Sequence, residues 1–104
     1  MNCEGLTTLT IPHKVETVGL MAFSGCKNLE SIYFSNQLKH LGEGSFFHCE
    51  KLNAIHIANP VPPELNPDAF AYFTTSACTL YVPKRCKTAY ETNGWNQFKE
   101  IVEE

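Results

Sequence analysis

Residues 29–51 read LESIYFSNQLKHLGEGSFFHCEK, and residues 6–28 repeat the same arrangement as LTTLTIPHKVETVGLMAFSGCKN. Leu6, Leu9 and Ile11 are answered by Leu29, Ile32 and Phe34, then by Leu52, Ile55 and Ile57, so the period is 23 residues. A fourth, imperfect version follows at Leu80 and Val82. Self-similarity at this length is the mark of a solenoid, in which each coil has an apolar face that it buries only by stacking on its neighbours. The chain therefore reads as one domain over 1–104, with repeats at about 6–28, 29–51 and 52–78 and a C-terminal cap over 79–104.

Within a repeat, the last two apolar positions of the opening motif alternate with polar ones, which is strand periodicity. The expected fold is an α/β solenoid, with short parallel β-strands stacked one per coil, irregular or 3₁₀ turns on the other face and a short helical C-terminal cap. After each strand, Val15, Val18 and Gly19 match Leu38, Leu41 and Gly42, an extended or irregular stretch whose glycine is assigned to a turn needing permissive backbone angles. Ala22-Phe23 and Ser45-Phe46 come next, with Ala69-Phe70 one residue late. The aromatics are expected to point inward, Phe23 and Phe46 foremost.

The third coil departs from the pattern, because Pro60, Pro62, Pro63 and Pro67 crowd its middle. Proline fixes φ and removes a donor, so this segment reads as a rigid bypass that cannot join a ladder in its interior. Beyond Val82 the repeat stops. Pro83 suits a first helical position, Cys86, Ala89 and Tyr90 have helical spacing, and Asn93-Gly94 is a stop signal. Trp95, Phe98 and Ile101 then recur at three-residue intervals and read as a second helical or 3₁₀ segment covering the last coil. At the other end Cys3 falls late in a coil, so the sequence starts mid-coil and reads as a piece of a longer array with an exposed apolar edge at its N-terminal end.

Composition narrows the function classes. A net charge of −3 with Lys and Arg scattered singly gives no basic stripe for nucleic acid or an anionic membrane. No apolar run approaches the ~20 residues of a membrane span. Cys3, Cys26 and Cys49 occupy one repeat column, where a thiol serves as a small apolar filler; a disulfide within the column is the alternative, leaving its third member alone. Cys78 and Cys86 have no metal-ligand spacing. His48-Cys49 is the nearest approach to a nucleophile pair, yet neighbours on an extended segment point apart and Cys49 belongs to the buried column. His13, His40 and His48 are assigned to exposed coil positions. No phosphate loop, acid pair or Ser-His-Asp order is present, so neither catalysis nor a metal or cofactor site is expected.

Leu-x-x-Leu-x-Ile-Pro at Leu6 to Pro12, Gly-x-x-x-Phe-x-x-Cys at Gly19 to Cys26 and again at Gly42 to Cys49, and the ending Thr79-Leu80-Tyr81-Val82-Pro83 are together specific. The array resembles the BspA-like leucine-rich repeats of bacterial surface antigens, found also in some parasitic protists. The resemblance implies a curved leucine-rich solenoid at the cell surface or outside the cell, used in adhesion to host or other cellular proteins, with no enzymatic activity and no cofactor. The proline-rich coil departs from the family pattern, and no signal peptide is present in this sequence.

If each strand points Leu9 and Ile11 inward, Thr10 between them points out, as do Tyr33, His56 and Tyr81 at equivalent places. Thr8, Ser31 and Ala54, two residues earlier, extend this stripe. Thr8, Thr10, Ser31, Tyr33, His56 and Tyr81 are thus the candidate ligand-binding residues, on the exposed face of the parallel sheet, with a protein as the expected partner. The competing expectation is that these residues merely suit an exposed strand and that the stretch is a spacer displaying a ligand-binding region N-terminal to it.

Overall fold

The computed structural model describes residues 5–70, 73 and 75–104. It is a stack of coils carrying two parallel sheets. The larger sheet takes one strand from each coil: β1 Thr8–Thr10, β3 Ser31–Phe34, β5 Ala54–Ile57, β7 Thr79–Val82 and β8 Glu100–Glu103, side by side in that order. The smaller sheet pairs β2 Thr17–Val18, β4 His40–Leu41 and β6 Glu64–Leu65. A 3₁₀ turn at Thr75–Ala77 precedes β7, and one helix, α1 Lys87–Thr92, lies between β7 and β8.

The repeat predicts the register. Leu9 pairs with Ile32, Ile32 with Ile55 and Ile55 with Leu80, all in parallel alignment. Ile32, Ile55 and Leu80 have no exposed surface, and Phe34, Ile57 and Val82 two residues on are also buried. From the opposite side Val18, Leu38 and Leu41 close the interior. Phe23, Phe46 and Phe70 stack as an internal column, with centroids 5.8 Å and 6.2 Å apart and rings nearly parallel. Phe34 meets Phe23 and Phe46 edge-on. Phe70 keeps its place in this column although the third coil is longer than the second, because the proline-rich segment takes up the extra chain.

Backbone hydrogen bonds between coils order the turn that follows each short strand of the smaller sheet in the first two coils. Main-chain N–H groups of Met21, Phe23 and Gly25 donate to the carbonyls of Glu43, Ser45 and Phe47 in the next coil, at 2.8–2.9 Å. Gly42 is required by proximity and not by a left-handed turn: a Cβ there would sit 2.8 Å from the Gly19 carbonyl carbon and the Val18 oxygen. The glycines of the left-handed turns are Gly25, Gly44 and Gly94, in place of the Gly19 and Gly42 positions expected from the sequence.

Contrary to the expectation that the proline-rich segment cannot join a ladder, Glu64 and Leu65 between Pro63 and Pro67 form β6 and pair with β4, because the Glu64 and Asn66 N–H groups are free to donate to the Lys39 and Leu41 carbonyls. The Asn59 and Pro63 carbonyls before it are met by the C-terminal segment. The Tyr90 hydroxyl donates to the Asn59 carbonyl, and Trp95 Nε1 donates to that of Pro63 at 3.2 Å. Both rings are fully buried. The helix starts at Lys87, with Cys86 as its N-cap, so Pro83 precedes it by a turn, and Asn93 and Gly94 end it as expected. Trp95 and Phe98 sit in turns, and Ile101 belongs to β8, a fifth strand of the larger sheet rather than a second helical segment. At the first coil Leu6 is 40 % exposed whereas Leu29 and Leu52 are buried. In the thiol column Cys26 is disulfide-bonded and Cys49 is free and buried; Cys3 lies outside the described residues.

Candidate functional site

Strands paired in register bring like positions of successive coils into rows about 4.8 Å apart. One outward row of the larger sheet is Thr10, Tyr33, His56, Tyr81 and Val102. The other is Thr8, Ser31, Ala54, Thr79 and Glu100. All six residues nominated from the sequence therefore share one face, divided between two adjacent rows. The structure adds Thr79, Glu100 and Val102 to that face.

The aromatic row is a stacked ladder. The Tyr33 and His56 rings lie 4.2 Å apart at 16°, and the His56 and Tyr81 rings 4.3 Å apart at 6°. His56 is thereby enclosed on both faces and half-buried, as is Tyr81, while Tyr33 at the end of the stack is 40 % exposed. One face of Tyr33 is taken by His56; on its other side the neighbouring strand offers only the short side chain of Thr10.

His56 Nδ1 lies 2.8 Å from Glu104 Oε1, a contact spanning 48 residues of sequence. It forms because β8 carries the chain back alongside β7, where the Glu104 N–H donates to the Val82 carbonyl at 2.9 Å. With Tyr33, Val82 and Pro83, these two side chains line a shallow groove of about 290 Å³ at the C-terminal ends of the strands. Sequence reading missed Glu104, because Ile101 was placed by its three-residue spacing from Phe98. The alternating burial of Glu100 to Val102 reflects the strand signal that competed with it.

The smaller sheet has its own outward row of Thr17, His40 and Glu64. His40 Nδ1 stands 3.4 Å from Glu64 Oε1, and Lys39 Nζ stands 3.0 Å from Glu16 Oε1. All four side chains are more than half exposed, so each pair contributes at most about 1 kcal/mol. Among the described residues, no three His, Cys, Asp or Glu side chains converge as metal ligands would.

The thiols are placed for packing rather than chemistry. Burial pushes Cys49 up to about 11, partly offset by a backbone hydrogen bond from Cys26, and its Sγ donates to the Phe23 carbonyl at 3.1 Å. Burial pushes Cys78 up to about 12. A nucleophilic cysteine needs the opposite shift. His48, exposed and with φ of 60°, packs its ring edge-on against Phe47 while Cys49 turns into the core.

The family described as BspA type leucine rich repeat region (6 copies) matches residues 1–96 of the chain. No curated protein matches the chain. Among the described residues, no helix is long and apolar enough to cross a membrane.

Proposed function

The chain belongs to the BspA-type leucine-rich repeat family, and on that footing we propose that it is a non-enzymatic adhesion module of a surface-displayed repeat protein, binding a protein partner through the exposed face of its five-stranded sheet. Repeats of this family typically serve protein interaction and are generally surface-associated. The observation that carries the reading is the Tyr33-His56-Tyr81 ladder. A stacked row of rings is rigid before binding, so a partner gains aromatic contact area without the entropic loss of ordering it. A disulfide at Cys26 suits an oxidising compartment outside the cell.

The experiment is a random peptide display selection against the wild-type protein, followed by binding of the selected peptides to a Tyr33→Ala/His56→Ala variant. Loss of binding with an unchanged melting temperature supports the reading. Retained binding, or a selection that yields no binder, counts against it and favours a spacer that displays a binding region elsewhere in a longer protein.

A further inference from the structure

We infer that the open edge of β6 takes up an extended segment of a protein partner as a fourth, parallel strand of the smaller sheet, seated in a groove between the proline-rich bypass and the C-terminal cap. The inference is independent of the aromatic ladder, which lies on the other sheet.

The hydrogen bonds between coils show what is left over. The Glu16 and Val18 carbonyls of the first coil accept from the His40 and Gly42 N–H groups of the second, and the Lys39 and Leu41 carbonyls accept from Glu64 and Asn66 in the third. Register puts Pro63 and Leu65 in the same two places of the third coil. The Pro63 carbonyl is met by Trp95 Nε1 at 3.2 Å, an indole standing in for the next coil. The Leu65 carbonyl has no partner among the described residues. The Leu65 N–H is open as well: its neighbours on Glu64 and Asn66 point at β4, so alternation along the strand turns it the other way. Pro63 and Pro67, the next residues facing outward along this edge, have no N–H, which holds pairing to the single rung at Leu65.

A groove of about 500 Å³ lies along this edge, lined by Pro62 and Pro67 of the bypass and by Asn93, Gly94 and Gln97 of the cap. The occupant is a strand and not a coil of a second copy, because the cap fills the interior position that a coil would need. Trp95 is fully buried there, and Leu65 Cδ1 lies 3.4 Å from where a Gly94 Cβ would stand. For the same reason the partner residue in register with Leu65 must be small, glycine above all, since its side chain would point to the side that Leu65 already fills. Glu64 carries the one charge in the lining and its side chain is 78 % exposed, which favours a basic partner residue beside it. The two main-chain bonds to Leu65 fix the register, as in other cases of strand addition at a sheet edge.

The test is a random peptide display selection against the wild-type protein, with the binders sorted by their affinity for two variants. Leu65→Pro removes the free N–H, and Gln97→Trp fills the groove from an exposed position without altering the strand. The expected result is a class of peptides weakened at least about tenfold by either variant, and to the same degree by N-methylation of the peptide at one backbone position. In the ¹⁵N-labelled protein, the Leu65 amide should exchange with solvent faster than that of Asn66 and become protected when such a peptide binds. No peptide sensitive to Gln97→Trp, N-methylation tolerated at every position, or Leu65 exchange unchanged by bound peptide each overturns the inference. Peptides that depend on Tyr33 and His56 alone would overturn it while leaving the larger sheet as the binding surface. Peptides that depend on the groove alone would support it and remove the role proposed for the ladder.

Discussion

Left-handed backbone recurs in this molecule at places fixed by the coil and not by the residue that occupies them. Met21 and Gly44 have φ of 51° and 62°, and Gly25 and His48 have 80° and 60°; each pair is one period apart. The two non-glycine members sit where an L side chain costs about 1–2 kcal/mol. His48→Gly is therefore expected to stabilise the fold by up to about 1 kcal/mol, since it gives up only the contact with Phe47. Thermal denaturation checks this, with a rise of a few degrees as the outcome. Gly42→Ala should act in the other direction by about 1–3 kcal/mol, because its Cβ meets main-chain atoms of the preceding coil that have nowhere to move. The buried thiols set a pH limit. Cys49 and Cys78 rise from 9.0 to about 11 and about 12, so the unfolded chain releases their protons first. Stability due to these groups is complete below pH 9 and falls as pH climbs from there through 11 to 12. Urea denaturation across that range, with Cys78→Ala losing part of the slope, tests the assignment. Positions such as Gly42 were visible in the sequence as repeated glycines, but their reason was not, since closeness between coils is a property of the stack.

At the scale of elements, the larger sheet was legible and the smaller was not. Four of the five long strands have an inward pair such as Ile32 and Phe34 that repeats in every coil, whereas β2, β4 and β6 are two residues long and contain no alternation to read. Their order comes from backbone bonds to the neighbouring coil, such as Lys39 N–H to the Glu16 carbonyl at 2.7 Å. The end of the chain was misread for a related reason. Trp95, Phe98 and Ile101 have helical spacing because two of them fill turns against Phe70 and the third is the inward residue of β8. The Phe column tests the interior. Phe46 is fully buried and touches Phe23, Phe34, Phe70 and Phe73, so Phe46→Ala should destabilise the domain by about 3–5 kcal/mol. Chemical denaturation measures it directly, and a loss below 1 kcal/mol would contradict the central role given to this ring. For the candidate face, the six outward residues were legible from alternation alone; ring stacking and the reach of Glu104 to His56 were not, because both depend on strand register between coils.

Across the whole molecule the coils have no means of standing alone, since each apolar side faces the next. Trp95, the single tryptophan, is fully buried and clamps the third coil through Pro63, so it reports on the last coils, while far-UV circular dichroism reports on all of them. A cooperative stack should give superimposable urea transitions by the two probes. A fluorescence transition that precedes the dichroism would mean that the C-terminal coils melt separately. The proline-rich bypass has a use that follows from its position. Val61 projects from it at 69 % exposure, the flanking Asn59 and Pro63 are pinned, and the aromatic column keeps a spacing of 5.8 and 6.2 Å although this coil is the longer one. An epitope or tag grafted between Pro60 and Pro62 would thus ride on the outside like a flag on a fixed mast, giving immunologists and microscopists a handle that leaves the opposite wall untouched.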